Sequence, residues 1–297
     1  MDTLTPQRWD LEYPVMTKTI LAAATLALLA SSAAYAADVY QPEPQPVYVD
    51  APEVAVAEAS GWYLRGDLGY SFNKMRGAKF FQGSNDTEAN FTTASIKDNF
   101  WVGGGVGYQV NSYLRTDLTF DYMFKSDFKG STSGTCGDGV GNPFVPCSSS
   151  DVAAMRAYTL MANAYVDLGT YAYFTPYIGG GIGGSYVKWD KLRNTICDDP
   201  YSGGCYSEEH GGKGSWRFAY QLMAGASIDV TCNVKADLGY RFRHTMGGDM
   251  FGYASNGGPG YDKGFYSHSV HAGARYVFGG CETPVAYEPP PELPVYK

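Results

Sequence analysis

Eight stretches of the chain alternate in polarity residue by residue, and this alternation limits the fold more than any other feature. From Gly61 to Phe72, Trp62, Leu64, Leu68, Tyr70 and Phe72 share one face, while Tyr63, Arg65, Asp67 and Ser71 share the other. Successive side chains of a strand point to opposite faces, so a period of two predicts extended chain. Tyr113–Phe124 repeats the pattern, with Leu114, Leu118, Phe120, Tyr122 and Phe124 set against Arg115, Asp117 and Asp121. Val234–Thr245 does so again, and all three carry a basic residue two positions before Asp-Leu (RGDL, RTDL, KADL). Asn99–Val110, Val152–Leu168, Thr175–Trp189, Ser215–Val230 and Phe265–Phe278 complete the set.

Connections between these stretches alternate in length. Asn111-Ser112, Gly169–Phe174 and Thr231–Asn233 are tight, whereas 73–98, 125–151, 190–214 and 246–264 are long and rich in Gly, Ser, Asp and Asn. An even number of alternating strands with short turns at one end and long loops at the other is the pattern of an outer-membrane barrel. In a bilayer every backbone group must be paired, so the sheet must close. The apolar face then meets lipid and the charged face lines the lumen. A soluble barrel would reverse this arrangement. The reading is therefore all-β: an eight-stranded antiparallel up-and-down transmembrane barrel over 61–278, with four long extracellular loops and three short periplasmic turns.

Composition agrees. Charged residues make up 18% of the chain, against roughly 25% in soluble domains, and Tyr (25), Phe (15) and Gly (37) are abundant. Mean hydropathy is −0.25, which argues against a helical membrane protein. A net charge of −8 offers no basic patch for nucleic acid.

The first residues read as an export signal. Met16-Thr17-Lys18 begins a short basic region, Ile20–Ala30 is apolar, and Ala34-Tyr35-Ala36 is a cleavage site of the A-x-A type. Residues 1–36 are thus expected to be removed, with translation starting at Met16. Residues 37–60 form a Pro-rich periplasmic lead, and 279–297 a Pro-rich periplasmic tail.

Gly61-Trp62-Tyr63-Leu64-Arg65-Gly66-Asp67-Leu68-Gly69-Tyr70 and the closing strand Ser269-Val270-His271-Ala272-Gly273-Ala274-Arg275-Tyr276-Val277-Phe278 carry a resemblance. Over about 61–278 the chain resembles the small porin-like, opacity-type surface proteins of Gram-negative bacteria, particularly the rhizobial and Brucella outer-membrane protein group. The resemblance implies surface antigens and envelope-integrity proteins, some of them adhesive, and no enzyme. The closing strand looks like the signal read by the barrel-assembly machinery, although 19 residues follow Phe278 here.

Parity places Arg65, Arg115, Arg217, Lys235, Arg241, Arg243 and Arg275 inward, together with Asp67, Asp117, Asp121, Asp167, Asp229 and Asp237. Unpaired buried charge is heavily penalised, so these groups are expected to form a paired network. Gly103, Gly105, Gly107, Gly179, Gly181 and Gly183 on the same face leave room for long arginines. Side chains just fill an eight-stranded lumen, which points to a plug rather than a wide pore. A narrow channel is the alternative.

Three motifs fail on context. Gly179-Gly180-Gly181-Ile182-Gly183-Gly184 fits a dinucleotide fingerprint but opens no helix. The charges of Arg65-Gly66-Asp67 point into the barrel, away from any adhesion receptor, and Lys213-Gly214-Ser215 lacks the phosphate-loop spacing. His244 and His268 are expected to face lipid near each other below the loop rim, as interfacial residues of an aromatic belt, with contact to lipopolysaccharide phosphate as the alternative. A lipid A-modifying hydrolase is the minor alternative, but Ser267 and Ser269 point away from His268.

The six cysteines of an exported chain suggest disulfides. Cys136 with Cys147 and Cys197 with Cys205 each lie within one long loop, while Cys232 in the third tight turn and Cys281 after the last strand meet at the periplasmic end. Asp198, Asp199, Glu208 and Glu209 form an acidic loop without the calcium-loop pattern. The resulting functional reading is a non-enzymatic barrel that supports the envelope and displays loops for binding or adhesion. Its partners would be outer-membrane lipid and lipopolysaccharide, the assembly machinery and a host-surface ligand, with no cofactor.

Overall fold

The first and last barrel strands hydrogen-bond to each other, and this contact closes the sheet. In the computed structural model, residues 61–82, 87–136, 145–197, 204–255 and 257–281 are described. The expected signal peptide, the Pro-rich lead and the tail from residue 282 onward lie outside them. Eight antiparallel strands form the ring: β1 (Gly61–Met75), β5 (Asn99–Gln109), β6 (Leu114–Ser131), β8 (Val145–Asp167), β9 (Phe174–Trp189), β12 (Gly214–Asp229), β13 (Val234–Phe251) and β14 (Gly257–Val277). Each pairs with the next, and β14 returns to β1 with Leu64 opposite Tyr276 and Phe72 opposite His268. The ring has no edge strand, as a bilayer requires.

Short polar side chains build two of the tight turns. Asn111 Oδ1 accepts the backbone N–H groups of Tyr113 and Leu114, and Thr231 Oγ1 accepts those of Asn233 and Val234. Such side chains stand in for backbone acceptors at reversals. Gly169 enters the remaining turn at φ +102°, a conformation that suits glycine.

At the other end the sequence-based boundaries need correction. Much of 73–98, 125–151, 190–214 and 246–264 is strand rather than loop. The ring strands run on past the expected limits, and β2 (Ala78–Gln82), β3 (Thr87–Asn90), β4 (Thr93–Ile96), β7 (Ser133–Cys136), β10 (Leu192–Cys197) and β11 (Cys205–His210) extend the sheet as hairpins. Gly- and Ser-rich composition hid this, because register there is held by neighbouring strands and not by local pattern.

The two ends differ in polarity. Along the lower barrel, large apolar side chains project outward: Leu68, Ile182, Leu222 and Leu238 are each about 59–66% exposed, which suits hydrocarbon and not water. In the hairpin cap the order inverts. Phe128, Met155, Val187, Trp189, Leu192, Met250, Phe251 and Phe265 pack inside as an apolar core. A bulge between Met123 and Ser126 on β6 and another between Asp249 and Phe251 on β13 shift the parity.

Candidate functional site

The lumen at bilayer height is filled with paired charge. Near the turn end, Arg275 Nε donates to Asp237 at 2.7 Å, and Asp237 also accepts from Ser227 Oγ. Arg115 Nε reaches Asp167 at 3.0 Å and its guanidinium lies over the rings of Tyr165 and Tyr177. One step higher, Arg65 bridges Asp67 on its own strand and Asp117 on β6, both at 2.8 Å. Asp117 also accepts from Asn163 Nδ2 at 2.7 Å. Above these, Asp121 takes Arg241 at 2.9 Å and Arg243, while Gln221 Oε1 accepts Arg243 Nε at 3.0 Å. A removed partner would leave a buried charge alone, at a cost of about 3–5 kcal/mol.

Glycines provide the space. A Cβ on Gly103 would lie 2.1 Å from Asp121 Oδ1, and one on Gly181 would lie 2.0 Å from Asn163 Oδ1. Two voids along the lumen measure about 20 and 10 Å³, enough for isolated waters only.

Three of the sequence-assigned charges lie outside the bilayer-level network. Lys235 and Asp229 pair at 2.7 Å at the turn-end rim, where both remain about one-third exposed. Arg217 stands apart from the bilayer-level network and pairs at 2.7 Å with Asp262, under the cap. Asp262 was hidden in a stretch read as loop, and Gly264 at φ +87° sets its parity opposite to that of Ser267 and Ser269. Sequence reasoning also passed over Trp101, Asn163, Tyr165, Gln221 and His271, all buried in the lumen. Their parity matches that of the named charges, so the signal was present. The guanidinium of Arg241 lies 3.7 Å from the Trp101 ring centroid.

On the outer face, His268 is exposed and its Nδ1 is 2.6 Å from the Tyr240 hydroxyl. His244 departs from expectation: it is buried, not lipid-exposed, between Tyr220 and Tyr266 with Arg76 3.5 Å from Nε2. Phe242 lies between the two histidines, 5.2 Å from His268 and 5.6 Å from Tyr266. The result is an aromatic ladder at the rim of the bilayer-facing band. Among the described residues no serine is part of it.

Two disulfides are defined. Cys197–Cys205 joins directly opposed residues of β10 and β11, with Cα atoms 4.1 Å apart. Cys232–Cys281 ties the third turn to the end of β14, with Cα atoms 5.1 Å apart. Cys147 is disulfide-bonded as well, while the side chain of Cys136 lies outside the described residues. The acidic Asp198 and Asp199 also lie outside them.

All four hairpins converge at the cap on a groove of about 360 Å³. Phe80, Phe81, Phe91, Leu192, Ile196, Tyr206 and Phe251 supply its apolar walls, and Ser149, Asp151, Asn194, Glu208 and His210 its polar groups. Asp151 is buried and accepts from Ser149 Oγ at 2.6 Å and from Asn194 Nδ2. Burial raises its carboxyl above the usual carboxylate range. His210 Nδ1–H donates to the Gly252 carbonyl at 3.0 Å, with Phe251 edge-on at 4.9 Å.

A closed ring with apolar exterior, charged interior and a strand-built cap defines a bacterial outer-membrane β-barrel protein. The chain belongs to the outer membrane protein beta-barrel domain family, whose model matches residues 22–278. It is 39% identical over 279 residues to an uncharacterised protein of Brucella abortus, covering 83% of this chain and 93% of the relative. A Rickettsia bellii protein provisionally named an adhesin is 30% identical over 225 residues, covering 72% and 87%. Among solved structures, Neisserial surface protein A is similar at 17% identity and a TM-score of 0.41, covering 74% of this chain and all of the other. The protein is located in the outer membrane.

Proposed function

We propose that the chain is a sealed, non-catalytic display barrel: its hairpins face the outside of the cell, its turns and chain ends face the periplasm, and its cap is the binding surface. The observation that carries this reading is the charge-filled lumen, where voids of about 20 and 10 Å³ lie among the described residues below an open groove of about 360 Å³. An adhesive role gains support from the Rickettsia relative's name. The barrel-assembly machinery is its partner in biogenesis. Lipid contact falls to the aromatic ladder, where Arg76 and His268 suit lipopolysaccharide phosphate.

The test is binding of intact expressing cells to host surfaces, with the β10–β11 hairpin replaced by a short turn. Adhesion should fall while the barrel still assembles; unchanged adhesion would refute the role. A catalytic reading is checked through lipid A, which should have the same mass spectrum in cells carrying His244→Ala and His268→Ala.

A further inference from the structure

Six aspartates are buried among the described residues: Asp117, Asp121, Asp151, Asp167, Asp237 and Asp262. Five of them are paired with arginine: Asp117 with Arg65, Asp121 with Arg241 and Arg243, Asp167 with Arg115, Asp237 with Arg275 and Asp262 with Arg217. Asp151 is different. Its hydrogen-bond donors are the neutral Ser149 hydroxyl and Asn194 amide. Among the described residues the groove's lining contains no lysine or arginine, and His210 is its one imidazole.

Among the described residues Asp151 is the buried carboxylate without a lysine or arginine partner, although the His210 imidazole acts on it through space, and burying a carboxylate without a full counter-charge is costly. Aromatic rings line the same groove, and their π faces are the surface that attracts a desolvated cation. The volume lies in the range of small-molecule sites, and such sites combine apolar walls with a few fixed polar groups. A simple metal ion suits the groove poorly, because aromatic walls cannot replace its hydration shell. A neutral apolar molecule would leave Asp151 uncompensated.

We propose that the cap groove binds a small organic cation, an amine on an apolar or aromatic body, with Asp151 as its counter-ion and the phenylalanines and Tyr206 packing against the body. Access from outside the cell rests on the orientation proposed above; the site itself does not. The same chemistry can come from a free amine or from a basic side chain of a peptide.

The test uses the full-length protein folded in detergent micelles, with calorimetric titration by 2-phenylethylamine, 2-phenylethanol and 3-phenylpropionate at one pH. The amine should bind at least tenfold more tightly than the alcohol, and the carboxylate should not bind. Asp151→Asn, with folding checked by heat-modifiable migration, should reduce amine affinity at least tenfold. Tyr206→Ala should weaken amine and alcohol alike, and Asp127→Asn, at an exposed pair with Lys97, should change neither. Equal binding of amine and alcohol, unaltered affinity in Asp151→Asn, or no amine binding would each overturn the proposal. Tighter binding of acetyl-lysine amide than of the free amine would assign the peptide source, and the reverse the free one. Binding in micelles but not to intact cells would uphold the site and refute the outward orientation.

Discussion

Arg241 on β13 donates to Asp121 on β6 at 2.9 Å, across the lumen and between residues 120 positions apart in the chain. These strands are not neighbours in the ring, so the contact exists only once the sheet has closed. Arg243 donates to the same carboxylate. One aspartate thus holds two guanidiniums in the middle of the plug.

Asp121→Asn should therefore destabilise the barrel by about 3–5 kcal/mol, since two buried cations lose their counter-charge. The urea midpoint of the folded, fast-migrating band measures it. Adding Arg241→Met, which removes one of the stranded cations, should recover part of the loss.

Glycine spacing gives a second, sharper contrast. Gly103→Ala would drive a methyl into Asp121, whereas nothing lies within 4 Å of a Cβ on the outward-facing Gly66. Gly103→Ala should lower the urea midpoint clearly and Gly66→Ala hardly at all, because overpacking typically costs about 1–3 kcal/mol.

Planar bilayers containing the wild-type protein should show no steady conductance. Neutralising Asp117 or Arg241 loosens the plug and is the place where a latent narrow channel would appear. Steady current through the wild type would refute the sealed lumen.

The Cys232–Cys281 bond closes a loop with a sequence separation of 49. Replacing both cysteines by serine should cost roughly 2–4 kcal/mol of barrel stability. Proteolysis should also cut sooner just beyond Phe278, which mass spectrometry of the clipped product would reveal.

Asp151 predicts a pH dependence confined to the cap. Its carboxyl is raised by burial, so the folded protein holds this proton more tightly than the unfolded chain does. The stabilisation is complete below the unfolded value and is lost as pH rises through the folded one. Hydrogen exchange in β8, β10 and β11 should accelerate over that interval, and Asp151→Asn should reduce the change.

Much of the barrel could be read from parity alone. The period-two pattern gave the strands, their faces and the inward set from Arg65 to Arg275, because alternation is a local property of extended chain. Parity also held Trp101 and His271, which charge-seeking overlooked. The cap was illegible for a different reason. The bulge at Met123/Ser126 reverses the alternation on β6, so Phe128 points inward where the parity of Asp117 and Asp121 would send it out.

The sequence by itself determined a closed barrel in the outer membrane, which face meets lipid, and that the inward charges must pair. Only the tertiary structure decided which charges pair. Asp121 meets Arg241 and Arg243, Asp262 takes Arg217, and Asp151 has no arginine among the described residues, because partners across a lumen depend on closure and register, which no single strand encodes.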